Sequence, residues 1–234
     1  MKRILISLTA VVLMLLMCVS LASPALAAGT APIAENLEIK TYRNVSVGGK
    51  MSAYDPDDDV VSYEITTQPV KGKIVQGEEG SFTYTPNENK RGKDYFGYKA
   101  VDAEGNASQE ATVIIRIEKQ KKDVCYEDMN GRAEEYAAVA LSENNIFTAE
   151  MIGGEYCFGP EKTVSRGEFL SMCMLTVGEP LIDGVMSTGY EDVDEMPYWM
   201  QQYVATAVMR GVSGREENEN VFRADEPISR NEAM

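Results

Sequence analysis

Residues 158–168 read Phe158-Gly159-Pro160-Glu161-Lys162-Thr163-Val164-Ser165-Arg166-Gly167-Glu168, and residues 222–232 read Phe222-Arg223-Ala224-Asp225-Glu226-Pro227-Ile228-Ser229-Arg230-Asn231-Glu232. The Phe, an aliphatic residue, Ser, Arg and Glu recur at a spacing of 64 residues, and Tyr126-Glu127-Asp128 recurs as Tyr190-Glu191-Asp192 at the same spacing. A fixed period of this size marks a repeat architecture, in which one unit cannot bury its apolar face without a neighbour. Ser165 followed three residues later by Glu168, with Val164 before and an apolar run after, predicts a capping box that starts a helix; Ser229 and Glu232 repeat it.

Ser and Glu are thereby explained, and Arg166 is not. A cation in the first turn of a helix meets the positive end of the helix dipole, at a cost of some tenths of a kcal/mol. The recurrence of this placement at Arg230 points to a guanidinium held for something outside its own helix. Two readings stand: a carboxylate or phosphate ligand met by the Arg fork and the helix N-terminus, or an acid of the neighbouring unit. Upstream, Trp199, Tyr203 and Ala207, flanked by Met200, Val204 and Val208, predict an amphipathic helix ended by Gly211, with Asn145 in the corresponding place of the first unit.

These motifs, in this order over residues 124–234, resemble the S-layer homology (SLH) repeat of bacterial surface proteins. The resemblance implies a first repeat at 124–179, an incomplete second at 188–234, and all-α helical repeats. It also implies non-covalent anchoring to a secondary cell-wall polysaccharide on peptidoglycan, often through an acidic pyruvyl group. The positions it assigns to glycan binding are Arg166, Arg230, Trp199, Asp128 and Asp192. For Trp199 a place in the core is the competing reading, and for the two Asp residues helix capping is. Departures are Ser165 and Ser229 for Thr, Gly167 and Asn231 for Ala, Ala133 for the helix-leading Trp, and Ala224 for Pro.

The remaining chain divides at its composition shifts. Lys2-Arg3, an apolar run and Ala25-Leu26-Ala27 predict a signal peptide over 1–28 and hence export, with no membrane span after cleavage. Its removal takes the formal net charge from −15 to −17. So acidic a surface excludes attraction of nucleic acid or anionic lipid by the general field. The absence of histidine excludes His-based triads. Cys125, Cys157 and Cys173 are an odd set, with Cys125–Cys157 one pairing that could form and Cys173 expected in the core.

From 31 to 118 the pattern alternates, as in Val113, Ile115 and Ile117, with turn residues about every ten positions. This predicts an antiparallel β-sandwich of about seven strands. Ala53-Tyr54-Asp55-Pro56-Asp57, Gly80-Ser81-Phe82-Thr83-Tyr84 and Gly92-Lys93-Asp94-Tyr95-Phe96 resemble bacterial cadherin-like or immunoglobulin-like repeats. The cadherin-like resemblance implies a calcium site at Asp55 and Asp57, with Asp59 and Asp102 beside them. Calcium needs six to eight oxygens, and a solvated turn is the competing reading. The charged run 119–123 is expected to be an extended, solvated linker.

The chain is thus expected to be multidomain, an all-β sandwich followed by all-α repeats, in a secreted, non-enzymatic cell-wall or S-layer anchor whose sandwich is a spacer or display module. Alternatives are a calcium-dependent adhesion module, and the anchoring part of a longer cell-wall enzyme, since the second unit stops just past its capping box. Further SLH repeats are expected on the same ground.

Overall fold

The structure, a computed structural model, describes residues 29–149, 151–212 and 220–233. The signal peptide assigned to 1–28 lies outside the described residues. In the first half the alternating runs become strands β1 (Ile33–Ala34), β2 (Leu37–Tyr42), β3 (Val47–Lys50), β4 (Ala53–Tyr54), β5 (Val60–Thr67), β6 (Gly72–Gln76), β7 (Ser81–Pro86), β8 (Gly92–Asp102) and β9 (Ala111–Glu118). One sheet has the order β2-β9-β8-β5, a second β3-β7-β6, and β1 pairs with β4. Their inner faces meet in one core, where Val47, Phe82 and Tyr84 of the second sheet pack with Phe96, Tyr98, Val113 and Ile115 of the first. Strand β9 shows why: Ala111, Val113, Ile115 and Ile117 are all buried while the residues between them are half-buried, the period-2 pattern of a strand with one face on the core.

The sandwich is not wholly antiparallel. β2 and β9 pair in parallel, from Leu37 opposite Val113 to Tyr42 opposite Glu118. Both strands therefore leave the sandwich at the same end, and the Arg43 N–H donates to the Glu118 carbonyl at 2.9 Å. Through this pairing the 43–46 turn lies beside the exit to the second half.

The second half has helices α1 (Glu135–Glu143), α2 (Arg166–Val177) and α3 (Tyr198–Met209). Calling it all-α overstates it. Among the described residues three helices are separated by 3-10 turns and by a hairpin, β10 (Met151–Ile152) with β11 (Glu155–Tyr156). Gly153 and Gly154 both have positive φ, the backbone of a tight two-residue hairpin turn that only residues without a Cβ adopt freely.

The first unit gathers Tyr126, Met129, Ala138 and Val139 with Phe158; the second gathers Tyr190, Met196, Met200, Val204 and Phe222. Helices α2 and α3 join the units. They meet at Gly167, where an added Cβ would lie 2.1 Å from Met200 Sδ, so the departure from Ala at this position follows from packing. Cysteines 125, 157 and 173 are all unpaired, and Cys173 is exposed instead of lying in the core.

The 119–123 segment carries exposed side chains but its backbone is pinned. The N–H groups of Lys121 and Lys122 each donate to the Glu143 carboxylate at 2.7 Å, and Arg43 pairs with Asp123 at 3.7 Å. It is a bound strap between two docked halves, where an extended, solvated linker was expected, because Glu143 offers acceptors that charge patterning alone does not reveal.

Candidate functional site

The repeated motif builds the boundary between the units. Ser165 Oγ accepts from the Glu168 N–H and the Glu168 carboxylate accepts from the Ser165 N–H, closing a reciprocal cap at the start of α2. Ser229 and Glu232 make the same two bonds. Backbone bonds then cross between the units: Arg166 N–H to the Glu226 carbonyl at 2.9 Å, Gly167 N–H to Ala224 at 3.0 Å, and Ile228 N–H to Val164 at 3.0 Å.

Arg166 takes part in this junction. Its Nε donates to the Phe222 carbonyl at 3.1 Å, its Nη1 pairs with Glu232, and its guanidinium lies 5.6 Å from the centre of the Phe222 ring. The acid-of-the-neighbouring-unit reading describes what Arg166 touches. Glu232 is held below the ordinary carboxylate range by the Ser229 hydroxyl and N–H and by Arg166. Arg230 is exposed and has no ion pair among the described residues.

Asp128 and Asp192 hold the Phe turns. The Asp128 carboxylate accepts from the N–H groups of Phe158 (2.8 Å) and Gly159 (2.6 Å); Asp192 accepts from Phe222 and Arg223 in the same way. Burial opposes the charge on Asp128, but these two donors, its own backbone N–H and the charge of Arg132 together outweigh it and lower its pKa. Each Asp thus fastens a loop 30 residues away in sequence, where helix capping or a ligand hydroxyl was expected.

Trp199 is 51 % exposed. The buried face of α3 is Met200, Val204, Ala205 and Ala207, one step round from the Trp199–Tyr203 line. The indole meets the Tyr203 ring edge-on at 6.1 Å in a groove of 320 Å³ between the units, lined also by Phe147, Glu168, Ser171 and Met172. A second groove, of 380 Å³, is lined by Asp192, Glu195, Asp225 and Glu226 with Arg223, a field that repels an acidic ligand.

At the far end of the sandwich Asp55, Asp59 and Asp102 each place a carboxylate oxygen within 4.8 Å of the others. Asp55 is 9 % exposed; its Oδ2 and Asp59 Oδ1 are buried without a hydrogen-bond partner. Asp57 stands apart, accepting from the Thr30 N–H at 2.8 Å. Asp59 is pushed up to about 6, first by its hydrogen-bonding contact with Glu104, then by burial and by the charges of Glu104, Asp55 and Asp102. Sequence reading missed Glu104, whose signal was its place in the same turn as Asp102 and Gly105. The orphaned oxygens and the all-carboxylate donor set suit a hard cation such as calcium.

The profile described as a bacterial cadherin-like domain matches residues 29–119, and that of the S-layer homology domain matches 189–234. The chain carries a cadherin-like domain and, after it, an S-layer homology domain. The second unit is the one matched; the first is related to it by the recurring Tyr-Glu-Asp, Phe-turn and capping contacts described above. An S-layer homology domain supports association with the cell surface or wall, a cadherin-like domain fits display or adhesion, and neither is catalytic. No helix of the described residues is long and apolar enough to cross a membrane.

No curated protein sequence matches the chain. Similar solved structures include the endo-fucoidan hydrolase MfFcnA4 of glycoside hydrolase family 107 (18 % identity, 40 % of this chain and 14 % of that one, TM-score 0.32). Others are the SrpA adhesin of Streptococcus sanguinis (16 %, 44 % and 65 %, TM-score 0.33) and human protocadherin-24 EC1-2 (18 %, 38 % and 53 %, TM-score 0.31). The chain spans about one seventh of the fucoidan hydrolase.

Proposed function

We propose that this chain is exported and fastened to the cell wall by its S-layer homology units, which bind an acidic secondary cell-wall polysaccharide, while the cadherin-like domain is displayed outward. The half-exposed Trp199 in the groove between the units carries the reading. An indole with one face in a concave, partly apolar site and polar neighbours at its rim suits the face of a sugar ring. Arg166 and Arg230 supply the cations for the acidic group. Co-sedimentation of the protein with purified sacculi, before and after acid removal of the secondary polymer, tests this. Binding that is lost with the polymer and with Trp199→Ala or the Arg166→Ala/Arg230→Ala pair supports it; undiminished binding to stripped walls, or none to either, overturns it.

A second reading rests on the unpartnered oxygens of Asp55 and Asp59: the cadherin-like domain takes up calcium there and serves adhesion. Calorimetric titration with calcium of the protein and of Asp55→Asn decides it, and absence of a heat that depends on Asp55 refutes it.

A further inference from the structure

The two S-layer homology units bury their first helix against different partners. In the second, α3 lies on α2 of the unit before it, with Met200 over Gly167 and Leu170 of α2 added to the core. Among the described residues no repeat helix precedes α1. Its core takes Val45 and Tyr42 from the sandwich instead, with the Tyr42 and Tyr136 rings 5.4 Å apart. The backbones join as well: the Gly48 N–H donates to the Ala133 carbonyl at 2.8 Å, and the Tyr136 N–H to the Ser46 carbonyl at 3.0 Å. That N–H belongs to the first turn of α1 and has no partner within its helix. The Glu135 carboxylate, 2 % exposed, accepts from the Ser46 and Gly131 N–H groups at 2.9 and 3.0 Å.

Counted back twelve residues from the left-handed turns Asn145 and Gly211, Ala133, just before α1, stands where Trp199 stands in the second unit. An added Cβ on Gly48 would lie 2.8 Å from the Ala133 Cβ, so the two segments are in contact and a side chain at 133 larger than Ala is shut out on the side facing β3. We infer that the sandwich is the N-terminal cap of the helical repeats: on α1 it takes the place that a preceding unit's helix takes on α3. Where the second unit carries Trp199, the first carries the small Ala133 at that contact. Terminal repeats of stacked arrays need such a cover for the face that no neighbour reaches. The sandwich is accordingly a fixed part of the anchor and not a swinging spacer. The inference does not depend on the glycan reading, because no ligand enters its tests.

Hydrogen–deuterium exchange on the full chain compares the parent with Ala133→Trp and Gly48→Leu. Protection across Tyr136–Glu143 should fall by about tenfold or more, while β8 and β9 keep theirs. Unchanged protection of α1 in both variants overturns the inference. A measurement on the unaltered protein stands beside these in case a variant misfolds: trypsin should cleave after Lys119, Lys121 and Lys122 no faster than the whole chain unfolds. Cleavage there at the rate of an unstructured peptide overturns it equally.

Discussion

Gly167→Ala probes the contact that joins the two units, and two opposing effects set its size. Alanine in place of glycine in a helix is worth about 0.5–1 kcal/mol. Against this, the new methyl carbon would lie 2.1 Å from Met200 Sδ and 2.6 Å from its Cε, well inside van der Waals contact. Met200 is itself only 2 % exposed, so its thioether has little space into which to withdraw. Overpacking of this kind costs about 1–3 kcal/mol, and a net loss of about 1–2 kcal/mol is expected. Met200→Ala alone should lose about 2–5 kcal/mol by leaving a cavity. In that background the methyl fills part of the void, and Gly167→Ala becomes neutral or stabilising. Urea unfolding followed by the fluorescence of Trp199, the sole tryptophan, reads all four corners of the cycle. Additivity within about 0.5 kcal/mol, or a Gly167→Ala variant more stable than its parent, would show that α2 and α3 do not meet as described.

Glu135→Ala strands the buried Ser46 N–H, leaving the exposed Gly131 N–H to water, and should cost about 1–3 kcal/mol, whereas Glu135→Gln keeps the one oxygen both bonds use and should cost less than about 1 kcal/mol. Because burial raises the Glu135 pKa, its contribution is full below the pKa of the unfolded carboxyl and is lost as pH rises through the folded value. The parent should therefore gain on Glu135→Gln as pH falls in thermal melts. Asp128 is lowered, so its stabilisation is present above its unfolded pKa and is lost as pH falls through the folded value. Asp128→Asn should flatten the acid limb of unfolding, and an unchanged limb would refute the role given to its two backbone donors. With Asp59 near 6, the metal-free sandwich should become more stable as pH is lowered from 7 toward 5, and calcium at pH 7 should raise its melting temperature while Asp59→Asn removes both effects.

The capping boxes could be read from the sequence because their chemistry is local: Ser, Glu and the apolar residues around them lie within one turn. The alternation of Val113, Ile115 and Ile117 was equally direct, since a strand with one buried face writes its period into the chain. The exposure of Trp199 was not legible. Trp199, Tyr203 and Met200, Val204 are adjacent stripes of the same helix, and periodicity alone does not say which stripe the neighbouring helix covers; Gly167, over Met200, was the deciding residue. The docking of the sandwich was hidden for a different reason. Glu135 finds its partner Ser46 at 89 residues' separation, and an acid at a helix start looks like an ordinary solvated residue until that partner is known. The Gly153-Gly154 hairpin was written in the sequence, in a short stretch that the helical pattern of its surroundings obscured.

The pairing of Arg166 with Glu232 bears directly on how an acidic ligand would be met. The two side chains are 28 % and 48 % exposed, and an ion pair at that exposure is worth about 0–1 kcal/mol. Glu232 also has a second set of partners, because its carboxylate already accepts from the Ser229 N–H at 2.9 Å and from the Ser229 hydroxyl. It can release Arg166 without being left bare. Exchange of one carboxylate for another at the guanidinium then costs little, and the Nε bond to the Phe222 carbonyl keeps the fork aimed while the exchange takes place. Under the proposed anchoring, Glu232 holds the place that the sugar acid takes. Glu232→Gln should accordingly tighten wall binding even as it weakens the cap, whereas a purely structural Arg166 predicts that binding and stability fall together.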